Sequence, residues 1–312
     1  MIMTKILEKM SLLGLSLLLI SAFSISTALP PMLDYYSPTY NASQVELLVS
    51  VPSFSVVAML LLNPFVDKWL NDRQLIMTGL ILLSSAGIFP FFVQWYPLVL
   101  LSRLVFGMGI GFINAKAISI ISQRYQGKER IQMLGIRGSV ELIGGASCSL
   151  LVGQLLKIHW TLAFLIYGFG FIILAMYLLF VPPMEQIEKK EIQKSKQGLN
   201  KKDFAMILGM ALLSGFVICI NSSISLRVPL FQVDGKTIVG GESALVLSLE
   251  QGIGIAAGLS FASLLAHIKN RLLPMALLCL SICLFGIALA NNLLTLILSS
   301  VGVGFFYSII LT

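Results

Sequence analysis

Charge is what this chain has least of: 11% of its 312 residues are Asp, Glu, Lys or Arg, against 57% hydrophobic ones. With a mean hydropathy of +0.93, that excludes a soluble globular enzyme and fits a polytopic membrane protein. Histidine is scarcer still. His159 and His267 both stand at the ends of apolar runs, where an interfacial role suits them better than a proton relay. The four cysteines, Cys148, Cys219, Cys279 and Cys283, lie inside apolar runs with neither a CxxC pair nor a histidine at ligand spacing, so nothing points to disulfides or a metal. No glycine loop to cradle a phosphate and no nucleophile-and-base set occurs, which leaves no basis for an enzyme, a cofactor or a channel filter. The net charge of +7 is spread over short loops and not gathered on one surface, so it argues for orientation in a bilayer and against nucleic acid.

What the chain does have is apolar runs of about twenty residues, the length that crosses a hydrocarbon core. Ten spans are expected: near 11–32, 45–66, 75–94, 101–123, 131–156 and 160–181, then 204–225, 243–266, one between 271 and 293, and 293–311. A basic start before an apolar run also describes a secretory signal, but the length of the first run and the spans that follow at once keep it in the mature protein. Only 184–202 breaks the pattern, with six lysines and three glutamates, and it reads as a linker. The expected fold class is therefore all-α, a six-helix bundle at 1–183 and a four-helix bundle at 203–312.

If the spans alternate, Lys5, Lys9, Lys68, Arg73, Arg124, Lys128, Arg130, the linker lysines, Lys269 and Arg271 share one side, and only Lys157 and Lys236 take the other. That bias predicts a cytosolic N-terminus in a plasma membrane. Spans two and eight match at an offset of about two hundred residues, and Gly109-Ile-Gly111-Phe112 returns as Gly302-Val-Gly304-Phe305, so the chain reads as two parallel repeats.

The stretch LSRLVFGMGIGFINAKAISIISQ at 101–123 is the centre of the pattern. Gly107, Gly109 and Gly111 clear two sides of a helix for close packing, while Arg103 and Lys116 put cations inside an apolar span, a costly choice that marks a functional path. Arg137 and Glu141, four residues apart in the fifth span, share a face and can pair. Asp34, Glu46, Glu141 and Glu250 are the acids placed to carry a coupled proton.

Three of these signals resemble the major facilitator superfamily. In that family the loop between helices two and three reads Gly-x-x-x-Asp-Arg/Lys-x-Gly followed by basic residues; here Asp67, Lys68 and the following Arg73 fit, while Asn63 and Leu70 stand in place of the glycines. Arg103-x-x-x-Gly107 falls in helix four. Gly144-Gly145 falls in helix five, where the antiporter pattern Gly-Pro-x-x-Gly-Gly has Val140 and Glu141 at its first two places. Trp160 and Phe164 resemble the residues that open the family's helix six, and Leu29-Pro30-Pro31 is most similar to the drug-efflux branch.

The resemblance implies twelve helices, two more than the spans counted, so the chain reads as truncated at its C-terminal end. It implies a monomeric secondary transporter, exchanging protons for an amphiphilic small molecule across the lipid bilayer by alternating access. A nutrient importer of the same fold and a non-transporting relic or sensor are the alternatives. At the gate, Asp67 and Lys68 are expected to form a cytosolic latch. Arg103, about 9 Å deep from one side, and Glu141, about 15 Å from the other, are expected within reach of each other, with Arg137 competing for the carboxylate.

Overall fold

The computed structural model describes residues 2–18, 24–182, 201–233, 236–237 and 240–311. The first bundle holds α1 (Ile2–Leu17), a 3-10 turn (Ile25–Ala28) that runs into α2 (Leu29–Tyr36), α3 (Ala42–Val66), α4 (Asp72–Phe92), α5 (Tyr96–Arg124) and α6 (Gly127–Leu155). A 3-10 segment (Trp160–Gly168) continued by α7 (Phe169–Phe180) closes it. The second holds α8 (Lys201–Arg227), α9 (Gly240–Ile268), α10 (Leu272–Ala288) and α11 (Leu293–Leu311), with a two-residue β-ribbon between α8 and α9 pairing Gln232 with Thr237 and Val233 with Lys236. Most of the expected linker lies outside the described residues, which take the chain up again at Asn200's neighbour Lys201.

Among the described residues, six helices are long and apolar enough to cross a membrane: α3, α4, α5, the Trp160–Phe180 segment, Leu208–Leu230 and α11. The expected first span, continuous over 11–32, differs. Pro30 and Pro31 occupy the first positions of α2, where a missing N–H is harmless, and the preceding turn is 3-10. The sixth span likewise opens in 3-10 geometry. Helix starts are well signalled: Asn41 and Asn71 each form a capping box with the glutamine three residues on.

Alternation gives the molecule two ends. One, the linker side, carries Val181 and Lys201; the other, the far side, carries the 36–42, 92–96, 155–160 and 227–240 connections. An aromatic cluster of Tyr36, Tyr40, Tyr96 and Trp160 ties the first bundle together on the far side, with the Tyr36 hydroxyl donating to the Gln94 carbonyl at 2.6 Å and that of Tyr96 to the Gln44 carbonyl at 2.9 Å. On the linker side Lys9 pairs with Glu129 at 2.6 Å, and Arg124 is held by Glu8 and the Pro182 carbonyl. Burial and the neighbouring Glu8 carboxylate push the Tyr125 phenol up to about 12, so it stays a neutral contact under the Lys9 ammonium, 5.5 Å from its ring centre.

The hub is α5. A Cβ on Gly107 would strike the Pro52 backbone and one on Gly111 the Met59 side chain, both on α3, while one on Gly109 would meet the Leu83 amide of α4 at 2.6 Å. The second bundle repeats the scheme. Gly302 faces Cys283 of α10, and Gly304 faces the Glu250 carbonyl of α9. Each repeat thus packs its fourth helix against its third and second through the same two glycines.

Candidate functional site

Among the described residues four groups of charged side chains lie within the bundles, and each is built differently. On the linker side the Lys116 ammonium, 7% exposed, sits 2.5 Å from Asp67 Oδ1 and 3.0 Å from Asp72 Oδ1. Asn63 donates to Asp67 at 3.4 Å, and Arg73 to the Leu178 carbonyl at 3.3 Å. The expected Asp67–Lys68 latch is therefore replaced. Lys68 turns to the Phe65 ring, 5.5 Å away, and Asp67 closes on a lysine two helices further on. Adjacent residues at a helix end point in different directions, whereas α3 and α5 lie side by side with Gly107 and Gly111 between them.

Arg103 is 1% exposed. Its guanidinium stacks on Phe106, Phe164 and Tyr167 with ring centres 4.7, 4.8 and 5.3 Å away, and donates to the Gly87 carbonyl at 3.3 Å. This aromatic box replaces the expected pairing with Glu141, which instead keeps Arg137, 3.5 Å away and one turn back on α6. Gly144 and Gly145, both buried, lie beyond that pair, and a Cβ on Gly144 would meet the Leu17 carbonyl of α1 at 2.5 Å.

Two of the acids proposed for proton coupling lie at the far end and not in the interior. Asp34 is exposed on α2. Glu46, at the start of α3, forms a two-pronged pair with Arg227 at the end of α8, at 3.2 and 3.5 Å, and so links the two bundles.

Glu250 is the acid left inside, 3% exposed on α9. It lines a cavity of about 90 Å³ between the bundles, with Leu142 of α6, Ile218 and Asn221 of α8, Gln251 of α9 and Tyr307 of α11. Glu250 Oε2, Gln251 Oε1 and Asn221 Oδ1 are shut off from solvent, and none has a hydrogen-bond partner among the described residues. Tyr307 lies within electrostatic reach of both Glu250 and Glu141. Of the residues that line the cavity, the sequence singled out only Glu250. The signal for the others was there, in an Asn-Ser-Ser interruption at 221–223 and a glutamine beside the glutamate, both inside apolar runs.

The Major Facilitator Superfamily profile matches residues 12–312, and the chain belongs to that family. No curated relative matches it. Among solved structures it is similar to a bacterial homolog of the human lysosomal transporter Spinster in an inward-facing, unoccupied conformation, with TM-score 0.72 and 18% identity, covering 98% of this chain and 74% of that one. It is also similar to the xylose transporter XylE from E. coli in a partially occluded, inward-open conformation, with TM-score 0.77 and 12% identity, covering 98% and 85%. A peptide transporter in complex with sulfate gives TM-score 0.70 at 14% identity, covering 96% and 80%. At these identities the likeness is one of fold.

Proposed function

We propose that the chain is a secondary active transporter that exchanges protons for an amphiphilic small molecule by alternating access, with its linker side in the cytosol of a cell whose plasma membrane it spans. Residues 1–183 and 203–312 are the two rocking bodies, and 184–202 join them. A single chain suffices, because both walls of the cavity come from it. The observation that carries this reading is the Glu250 carboxyl, buried between the bundles with no cation beside it among the described residues. An ionised carboxylate alone in such a place costs several kcal/mol, so it holds a proton when the cavity is empty and releases it only when water or a positive group arrives. That is what coupling requires: the protonation state of one residue tied to the occupancy and side of one cavity. Glu141 is the weaker candidate because Arg137 already matches its charge.

The test is flux into liposomes carrying the purified chain. A pH gradient should drive accumulation of an amphiphilic dye, and Glu250→Gln should remove the dependence on the gradient at equal protein content. Gradient-driven flux of wild-type size in that variant, or none in the wild type, overturns the reading.

A further inference from the structure

We propose that the Glu250 cavity is a cation site that takes a protonated primary amine carried on a small apolar body. The inference rests on the transport reading for its place in a cycle, but its chemistry stands on the lining alone. Three enclosed oxygens on two helices, Glu250 Oε2, Gln251 Oε1 and Asn221 Oδ1, are all acceptors, and all lack donors among the described residues. An alkylammonium group offers three N–H donors and one positive charge, which matches three acceptors of which one is a carboxylate.

Other ligand classes fit less well. Among the described residues the cavity lining contains no lysine, arginine or histidine to meet an anion. A calcium ion takes six to eight oxygens at about 2.3–2.6 Å. Here the space is about 90 Å³, and part of its wall is the methyl groups of Leu142 and Ile218, which cannot ligate. Those methyls suit an apolar body whose head lies against Glu250. A neutral polyol can supply donors, but it brings no positive charge to take the place of the proton that Glu250 holds in the empty cavity. Walls from both bundles also mean that an occupant bridges them: Leu142 stands on α6, and Asn221 and Glu250 stand on α8 and α9.

The full chain, purified in detergent, is titrated calorimetrically with propylammonium chloride, whose short body suits a space of about 90 Å³, with the uncharged 1-propanol and with sodium chloride. The amine should bind at least tenfold more tightly than the alcohol, and sodium should give no heat. Glu250→Gln should weaken the amine at least tenfold, and Asn221→Leu, on a different helix, should weaken it severalfold. Either variant suffices if the other fails to elute as the wild type does. Equal binding of amine and alcohol, amine binding that both variants leave untouched, or a sodium response in place of an amine response overturns the proposal. Because binding in detergent needs no flux, amine binding without amine flux into liposomes sinks the transport reading and leaves the site. Flux without amine binding sinks the site.

Discussion

Two carboxylates share one ammonium at Lys116, and the three residues differ in how much water they keep: Lys116 is 7% exposed, Asp72 15% and Asp67 36%. Replacing Lys116 with Met keeps the apolar stem and removes the charge, leaving two acids facing each other. We expect a loss of about 1–3 kcal/mol, below the full value for a buried pair because Asp67 remains wetted. Asp67→Asn should cost less, since Lys116 keeps Asp72. Thermal unfolding in detergent checks the order, and equal midpoints for both variants and the wild type refute it. Both partners were visible in the sequence, one from a family loop and one as a cation inside an apolar span. Their pairing was not, because periodicity gives the face of a helix and not the helix it meets. The same limit hid the Arg103 box, whose Phe164 and Tyr167 come from a 3-10 segment that no apolar pattern distinguishes from an α-helix.

Helix against helix, the fit depends on absent side chains. A Cβ on Gly107 would lie 2.7 Å from the Ser55 Cβ and strike the Pro52 backbone, neither of which can swing aside as a long side chain could. Gly138, in the middle of α6, has nothing within 4 Å. We therefore expect Gly107→Ala to cost about 2–4 kcal/mol by forcing α3 and α5 apart. Gly138→Ala should gain about 0.5–1 kcal/mol from helix propensity alone. Unfolding midpoints that move the same way in both variants would remove the distinction. At this scale the sequence was most legible: span positions, the Gly109-Gly111 repeat at Gly302-Gly304 and the role of α5 all follow from apolar length and small-residue spacing. The break in the first span was legible only as Pro30-Pro31.

Taken whole, the two bundles pack along α6 and α9 and are pinned as well at the far side. Besides the Glu46–Arg227 pair, Leu226 and Leu230 pack on the core of the first bundle, all on the far side. By contrast α8 is the least enclosed span, 17% buried against 61% for α5, with Met206, Met210 and Phe216 exposed on its linker half. The proposed alternating access requires the far-side contacts to open. The ion pair is largely exposed, so it contributes about 0.2–1 kcal/mol, and Glu46→Gln should raise the far-side-open population by about 1.4- to fivefold. A cysteine placed at the buried Val228, after the native cysteines are replaced, should react that much faster with an impermeant maleimide. No change in rate would leave the pair without a gating role. Sequence could reveal the duplication that makes such a motion possible but not which state is adopted, since both states use the same residues. The fastening also has an optical side. Trp69 and Trp95 are 87% and 62% exposed, while Trp160, at 7%, is enclosed by Tyr36 and Phe164 on the fastened end. With the two outer indoles replaced by phenylalanine, the protein's own ultraviolet emission becomes a single-site gauge of the first bundle's packing at that end: Trp160 should stay shielded from a soluble quencher while the bundles part and be dimmed by it only when the first bundle itself loosens.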